Sequence, residues 1–192
     1  MAYHYRKGRN LFWLMLVFLI SLVGLWKFYQ SWLFRGLARR EALFTPVAEA
    51  AAQRHGIPSS LVKAVIWKES RWLPNVVGKD GEIGLMQITQ GAVDDWRRLE
   101  KQPAPSRGDL FKPELNIEIG TWYLAWTGNH WRGYKSQEIL QLAEYNAGYT
   151  RVNKLWKPES PDQELSLEKI SFPGTRDYIK QILDKKSHYD KQ

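Results

Sequence analysis

The 192-residue sequence predicts a mainly α-helical protein, in which one membrane-spanning helix precedes a globular helical domain. Residues 11–26 contain no charged side chain and are almost entirely apolar. The remainder of the chain alternates amphipathic segments with proline, glycine and small polar residues, which mark helix starts and stops. Closely spaced glycines within residues 75–89 add one small extended insert, a compact loop or hairpin.

The first element is a predicted transmembrane signal anchor over residues 11–33. A helix that spans a bilayer needs about 20 mostly apolar residues, and aromatic residues near its end suit the membrane interface. Residues 1–10 carry a basic cluster that favours a cytoplasmic N-terminus, and residues 34–44 form a juxtamembrane connector. A cleaved signal peptide is one alternative, although no small-x-small cleavage site follows the apolar run. A buried helix of a soluble protein is another.

The net charge of +8 does not indicate a nucleic-acid-binding domain. Residues 1–44 contain seven Lys/Arg and one Glu, whereas residues 45–192 contain 21 Lys/Arg and 19 Asp/Glu, a net charge of only +2. The excess therefore surrounds the predicted anchor, where it can meet anionic headgroups, and we expect no nucleic-acid partner. The chain has no cysteine and its four histidines are dispersed, so we expect neither a metal nor a cofactor.

The helices predicted after the anchor share a polar or proline start signal and a glycine or proline stop signal. Residues 97–109 and 157–172 are predicted as surface loops, and the charged tail after Asp184 as frayed. The predicted helices run from Thr45-Pro46 to His55, from Pro58-Ser59 to the chain before Pro74, from Asn116 to Trp126, from Ser136 to Gly148, and from Thr175 onward.

Glu69 is the first candidate functional residue. It lies four residues after Val65, so it continues the apolar face of the second predicted helix. A carboxyl group on a core-facing stripe is costly to ionise and tends to stay protonated, as a general acid near neutral pH requires. The alternative is a surface glutamate near a helix C-terminus, which the helix dipole disfavours.

Four short motifs occur in an order that resembles a known family. Glu69-Ser70, Gly84-Leu85-Met86-Gln87, Ala143-x-Tyr145-Asn146-Ala147-Gly148 and Thr175-Arg176-x-Tyr178 resemble the signature of lytic transglycosylases of the soluble-lytic-transglycosylase (SLT) type. The resemblance covers about residues 45–185. It implies that residues 45–192 form a catalytic domain with a lysozyme-like fold, closest to goose-type lysozyme.

The resemblance implies cleavage of the β-1,4 bond between N-acetylmuramic acid and N-acetylglucosamine in peptidoglycan glycan strands. In the family one glutamate protonates the leaving oxygen and then, as a carboxylate, accepts a proton from the muramic 6-hydroxyl, which closes on C1 to give a 1,6-anhydro product. One carboxylate suffices because the substrate supplies its own nucleophile. This substrate implies a single-pass protein of the inner membrane with a periplasmic, or at least extracytoplasmic, catalytic domain.

By this resemblance Glu69 is the acid and base, and five residues contact the glycan. Core packing is the alternative for Met86, and burial with a backbone partner is the alternative for Tyr178. Ser70 is expected to support local structure, as Asn146 would if it does not bind substrate. The residues assigned to the glycan are Met86, Gln87, Tyr145, Asn146 and Tyr178.

The sequence departs from the family pattern at four positions. The family commonly has Ser at Gly78, Ala at Glu82, Ala at Glu144 and Glu at Gly174. Glu82 or Glu144 is therefore a possible second carboxylate near the cleft, and a solvated surface position is the alternative for both. A second carboxylate that orients water would make the protein a hydrolytic muramidase. A non-catalytic glycan-binding module is the remaining alternative.

Overall fold

The structure is a computed structural model that describes the backbone of residues 2–192 and the side chains from residue 13 onward. The chain divides into two units, Met1–Glu41 and Ala42–Gln192. The basic cluster predicted within residues 1–10 lies outside the described side chains. The second unit contains the motifs that resemble the SLT family.

Helix α1 runs from Ala2 to His55 without interruption, so the helix start predicted at Thr45-Pro46 is wrong. The connector predicted over residues 34–44 is part of this helix. An interior proline removes only one backbone hydrogen bond, and the alanines, leucines and charged residues on both sides of Pro46 are strong helix formers. Ala48 and Ala51 are fully buried, so packing also holds the last turns of α1.

One helix in the described part of the chain is long and apolar enough to cross a membrane, and it is the N-terminal one. Most of the apolar side chains described within residues 13–34 are exposed, among them Phe18, Leu25 and Phe34. Length and composition alone make it a candidate span, and a signal sequence has the same properties. The anchor predicted over residues 11–33 stays a prediction.

Helices account for the regular structure of the second unit, and no strand occurs within residues 42–192. The mainly α fold predicted from the sequence is thus confirmed. After α1 come α2 (Ser59–Ser70), α3 (Gln90–Leu99), α4 (Pro113–His130), α5 (Gln137–Ala147), α6 (Tyr149–Arg151) and α7 (Pro173–Tyr189), with 3-10 turns at Asp109–Phe111 and Leu167–Lys169 and a π-helix at Val152–Trp156.

Several helix bounds differ from the prediction. Helix α3 was not predicted, and it extends to Leu99 into the segment expected to be a loop. Thr89 begins it as a side-chain cap, because its hydroxyl accepts a hydrogen bond from Ala92 N at 3.2 Å. Helix α4 starts at Pro113, and α7 continues to Tyr189, whose ring is buried, so the tail after Asp184 is not frayed.

The core of the second unit places α2 against α7, and α4 against α5 and α3. Ile66 and Leu124 are among its fully buried side chains. The insert over residues 75–89 is a compact loop that contains two isolated antiparallel β-bridges, Val77–Ile83 and Ile83–Ile88. Only residues 71–74 separate it from the C-terminal end of α2, and residues of the insert line a cleft together with Glu69.

Candidate active site

Glu69 lies in the last turn of α2 and its half-buried side chain borders a cleft of about 260 Å³. The opposite wall comes from the insert, and the end of α5 closes the third side. The remaining residues along the cleft are Gly78, Lys79, Glu82, Gln87, Thr89, Tyr145 and Asn146.

Tyr178 fixes one oxygen of the Glu69 carboxyl group. It projects from α7, and its hydroxyl donates a 2.6 Å hydrogen bond to Glu69 Oε1. Burial and the charge of Glu69 raise the pKa of Tyr178 well above its ordinary value, so the phenol stays a donor at neutral pH. Its ring is buried behind Glu69 and not on the cleft surface. Tyr178 therefore contacts the predicted acid, Glu69, which neither sequence-based alternative described.

The environment of Glu69 shifts the pKa of its carboxyl group towards neutral pH. Burial of the carboxyl group is the largest influence and raises its pKa from 4.5 to about 7. The hydrogen bond from Tyr178 and the positive charge of Lys68 act in the opposite direction, while the negative charge of Glu82 adds to the rise. At neutral pH the protonated and ionised forms of Glu69 are thus present in comparable amounts.

The chain leaves α2 through a sharp and strained turn. Arg71 and Trp72 both adopt left-handed backbone conformations, with φ of 53° and 62°. Such conformations cost about 1–3 kcal/mol each for residues other than glycine and persist only where surrounding contacts enforce them. Ser70 supplies one contact, because its buried hydroxyl donates to Leu85 O at 2.8 Å. This bond ties the end of the Glu69 helix to the insert.

Asn116 organises the insert, a role that the sequence did not predict. It was expected to cap a helix, but it lies within α4 with its amide buried. Its Nδ2 donates to Ile83 O and Leu110 O, both at 2.8 Å, and its Oδ1 accepts from Met86 N at 2.8 Å. Gly84, with φ of 81°, packs directly on this amide, where a Cβ would collide with it.

Gln87 presents an amide oxygen to the cleft. Its backbone is left-handed, with φ of 47°, and its Nε2 donates to Gly84 O at 2.9 Å and Val76 O at 3.3 Å. Both donors are therefore used within the insert, and Oε1 is the group left for a ligand. Gln87 lies along the cleft that contains Glu69, and its contact with the glycan stays a prediction.

The absence of a side chain at Gly78 makes room for Glu82. A Cβ on Gly78 would overlap a Glu82 carboxylate oxygen and crowd the amide oxygen of Gln87. The Glu82 carboxylate is fixed there by a 3.1 Å hydrogen bond from Asp80 N. Glu82 is therefore a second carboxylate in the cleft that contains Glu69. Two of the four departures from the family pattern, Gly78 and Glu82, form one structural unit.

Tyr145 and Asn146 bring the end of α5 to the cleft. The Tyr145 hydroxyl donates to Met86 O at 2.8 Å, and burial raises its pKa well above the ordinary value, so it remains a donor. Asn146 Oδ1 accepts a 2.8 Å hydrogen bond from the Thr175 hydroxyl at the start of α7. Both residues line the cleft and connect its walls, and their contact with the glycan stays a prediction.

Met86 and Glu144 lie away from the cleft surface. Met86 is fully buried against Gly120, with its sulfur 3.6 Å from the Thr121 hydroxyl, so it has the core-packing role and not the predicted sugar contact. Glu144 is also buried, although both sequence-based alternatives required a solvated or cleft-facing carboxylate. Two ring partners explain its position, because His130 Nδ1 and Trp131 Nε1 each lie 2.7 Å from one of its oxygens.

The geometry can be compared with known proteins. The family described as "Transglycosylase SLT domain" matches residues 46–165. The chain belongs to this SLT transglycosylase family. The lysozyme-like SLT fold predicted from the motifs is also that of solved relatives. The SLT chain resembles an inactive mutant of lytic transglycosylase Slt from Pseudomonas aeruginosa with a TM-score of 0.68 and 27% identity, over 76% of this chain and 24% of that one.

Two curated relatives differ in how much of their length the SLT chain spans. It is 36% identical over 137 residues to the soluble lytic murein transglycosylase of Escherichia coli, which covers 69% of this chain and 21% of that protein. It is 30% identical over 150 residues to the endo-type membrane-bound lytic murein transglycosylase A of Salmonella enteritidis, which covers 76% of this chain and 73% of that protein. The chain thus spans about a fifth of the first relative.

Proposed function

We propose that the SLT chain is a membrane-anchored peptidoglycan lytic transglycosylase. In this proposal it cleaves the β-1,4 bond between N-acetylmuramic acid and N-acetylglucosamine and forms a 1,6-anhydro-muramic product. The proposal depends mainly on Glu69, whose half-buried carboxyl group borders a cleft and has its pKa raised to about 7. A single group that acts first as acid and then as base needs a pKa close to the working pH.

The hydrogen bond from Tyr178 assigns different roles to the two oxygens of Glu69. Because Oε1 accepts from the Tyr178 hydroxyl, a proton on Glu69 resides on Oε2, from which it can pass to the glycosidic oxygen. The carboxylate that remains is stabilised by the same hydrogen bond and by the charge of Lys68. It then accepts the proton of the muramic 6-hydroxyl as that oxygen closes on C1.

Gln87, Tyr145 and Asn146 supply the rest of the cleft. The free Oε1 of Gln87 can accept a hydrogen bond from a sugar hydroxyl or acetamido N–H. Tyr145 and Asn146 connect the walls, so they keep the groups that position the 6-hydroxyl against C1 in a fixed arrangement. Positioning of this kind replaces the activated water of a hydrolase.

We also propose that the apolar part of α1 anchors the protein in the inner membrane. The basic N-terminus would then be cytoplasmic and residues 45–192 would face the peptidoglycan outside. The exposed apolar surface of the helix supports the anchor, and the substrate supports this orientation. Fractionation of cells that produce the full chain, with protease digestion of spheroplasts, tests both points: a soluble protein or a protected domain would contradict them.

Product analysis tests the reaction. Glu69→Gln keeps an oxygen that can accept the Tyr178 hydrogen bond but cannot donate a catalytic proton as an acid, so we expect it to abolish release of fragments from purified sacculi. Mass spectrometry of wild-type digests should show mainly 1,6-anhydro-muramic ends. Unchanged lysis by Glu69→Gln would refute the catalytic assignment. A wild-type protein that binds sacculi without releasing fragments would instead be a non-catalytic glycan-binding module.

A hydrolytic muramidase is the second candidate, and the position of Glu82 favours it. Its carboxylate lies in the same cleft as Glu69, over the space left by Gly78. A second carboxylate can orient and deprotonate a water that attacks C1 while Glu69 acts as acid. Reducing-end muramic acid as the main wild-type product, with a shift towards anhydro product in Glu82→Gln, would establish this reaction in place of ring closure.

A further inference from the structure

A second cavity, of about 400 Å³, lies between the C-terminal end of α4 and the chain that follows α5. Its volume falls in the range of about 300–1,000 Å³ that is usual for small-molecule sites. Aromatic rings make up most of its wall, and three hydrogen-bonding side chains complete it. The rings include Trp126, Trp131 and Tyr149, and the polar groups are His130, Asn153 and Lys157.

The buried carboxylate of Glu144 orients two of these rings. Its side chain has no exposure to solvent, and a carboxylate buried in this way is costly unless its oxygens are fully paired. Here Oε1 shares a hydrogen bond with His130 Nδ1, and Oε2 accepts one from Trp131 Nε1, each at 2.7 Å. Both partners line the cavity. The hydrogen bond at Nδ1 also fixes the orientation of His130 and leaves Nε2 as the ring nitrogen available to a ligand.

The rest of the wall provides flat apolar faces beside polar groups. Tyr149 is 49% exposed and its ring stacks on Trp131 with a centroid distance of 5.9 Å and an interplanar angle of 27°. Asn153 belongs to the π-helix Val152–Trp156, and Lys157 follows it directly. Single turns of π-helix are rare in proteins and occur often at functional sites.

Aromatic contacts connect this cavity to the catalytic cleft. From Tyr145 in the cleft, ring centroids follow one another at 5.6 Å to Tyr123, 5.5 Å to Trp126 and 4.4 Å to His130. A continuous series of aromatic contacts therefore joins one lining residue of the cleft, Tyr145, to two lining residues of the second cavity, Trp126 and His130.

We infer that the second cavity binds an N-acetylated amino sugar of the glycan strand, away from the bond that is cut, and that Glu144 is a positioning residue for it. The inference rests on the proposed function for its ligand class. A pyranose ring has an apolar face of C–H groups that can lie on Tyr149, and its hydroxyl and acetamido groups match His130, Asn153 and Lys157.

A titration of the full chain in detergent micelles tests the site. The indole N–H of Trp131, which bonds Glu144, reports the cavity in nitrogen–proton correlation spectra. With the Glu69→Gln chain we expect the tetrasaccharide of N-acetylglucosamine to shift this resonance in a saturable manner. Tyr149→Ala should weaken the fitted Kd about tenfold, the loss typical of a central aromatic contact. Leu155→Ala, on the same π-helix but outside the cavity, is the matched control and should leave Kd unchanged.

Glu144→Gln tests the positioning role separately. The amide keeps the size of the carboxyl group but offers one acceptor and one donor group, so it cannot accept from both His130 Nδ1 and Trp131 Nε1. We expect the ring nitrogen shifts of His130 to report a change of tautomer and the sugar Kd to rise severalfold. A merely structural role for Glu144 would leave the tautomer as in the parent chain.

The possible failures are distinguishable. No saturable shift of Trp131 with the sugar, or an equal Kd for Tyr149→Ala, would overturn the inference whatever the enzymatic result. A shift caused by an L-Ala-D-Glu peptide and not by the sugar would also overturn it and assign the cavity to stem peptides. If Tyr149→Ala does not fold, the exposed substitution Lys157→Ala replaces it. Lysis by Glu69→Gln would refute the proposed function without affecting the Trp131 measurement.

Discussion

The raised pKa of Glu69 predicts that removing this carboxyl group stabilises the protein in a pH-dependent way. In the folded protein the pKa is about 7, compared with an ordinary value of 4.5. Below pH 4.5 the group is protonated in both the folded and unfolded states, so it contributes no pH dependence. As the pH rises from 4.5 to 7 the unfolded state releases its proton first, and the free energy of unfolding falls. Above pH 7 the loss is complete.

The size of the effect follows from the two pKa values. A rise from 4.5 to about 7 corresponds to about 3.4 kcal/mol at 1.36 kcal/mol for each pKa unit. Because the side chain borders the cleft, water screens part of this energy, and we expect about 2–3 kcal/mol. Glu69→Gln cannot ionise and keeps an acceptor for Tyr178. Between pH 4 and pH 8 the unfolding free energy of Glu69→Gln should therefore increase by about 2–3 kcal/mol relative to that of the wild type.

Urea unfolding of the full chain in detergent, followed by near-ultraviolet circular dichroism at pH 4, 6 and 8, measures the difference. Glu159→Gln, at an exposed position, is the control and should track the wild type. A difference between Glu69→Gln and wild type that is the same at pH 4 and pH 8 would refute the reasoning, because it would mean that Glu69 titrates normally in the fold.

Three further substitutions test the surroundings of Glu69. Tyr178→Phe removes a hydrogen bond to the ionised form, worth about 1.5–3 kcal/mol, so the alkaline limb of the pH–rate profile should move up by roughly 1–2 pH units; a downward move would contradict this. Gly78→Ala should displace the Glu82 carboxylate, which is the end of a flexible side chain, with little effect on the melting temperature. Because Glu82 raises the pKa of Glu69, the alkaline limb of the pH–rate profile should then move to lower pH. Asn116→Ala leaves two buried backbone groups, Met86 N and Leu110 O, without partners and weakens the bonding of Ile83 O, which keeps Ile88 N. It should cost about 2–4 kcal/mol in urea unfolding; a loss below about 1 kcal/mol would mean that water replaces the amide.

Hydrophobic periodicity correctly predicted which residues lie on one face of a helix. It did not predict the position of side chains whose partners are distant in the sequence. The stripe through Val65 placed Glu69 correctly, because its position depends only on the pitch of α2. Asparagine is a common helix-capping residue, yet the Asn116 amide bonds backbone groups of Met86 and Ile83, which lie 30 and 33 residues away in sequence. The partners of Glu144 are likewise on another helix and its C-terminal cap, His130 and Trp131. No local pattern contains these contacts.

Helix boundaries and buried contacts illustrate the same limit. Thr45-Pro46 is a good local start signal, but the helix-forming residues before it and the packing of Ala48 after it continue α1 through the proline. Met86 belongs to a motif that resembles a substrate-contacting one, and the tight space at Gly120 decides that its side chain packs inward. Local signals compete with tertiary packing, and packing of buried groups contributes more energy than a cap.

The two added carboxylates have different consequences because their environments differ. Glu144 is buried and hydrogen-bonds two rings, His130 and Trp131, that line another cavity. Glu82 keeps one backbone donor and faces the cleft, where its charge favours the protonated form of Glu69. Glu69 must be protonated to start the proposed reaction and ionised to complete ring closure, so a pKa near the working pH suits one group in both roles. Hydrolysis instead needs Glu69 protonated and Glu82 ionised together. Both reactions therefore begin from protonated Glu69, so a change of pH through the pKa of Glu69 should change their rates together. Only removal of the second carboxylate should change the proportion of hydrolytic product, and an unchanged product ratio in Glu82→Gln would exclude Glu82 from the reaction.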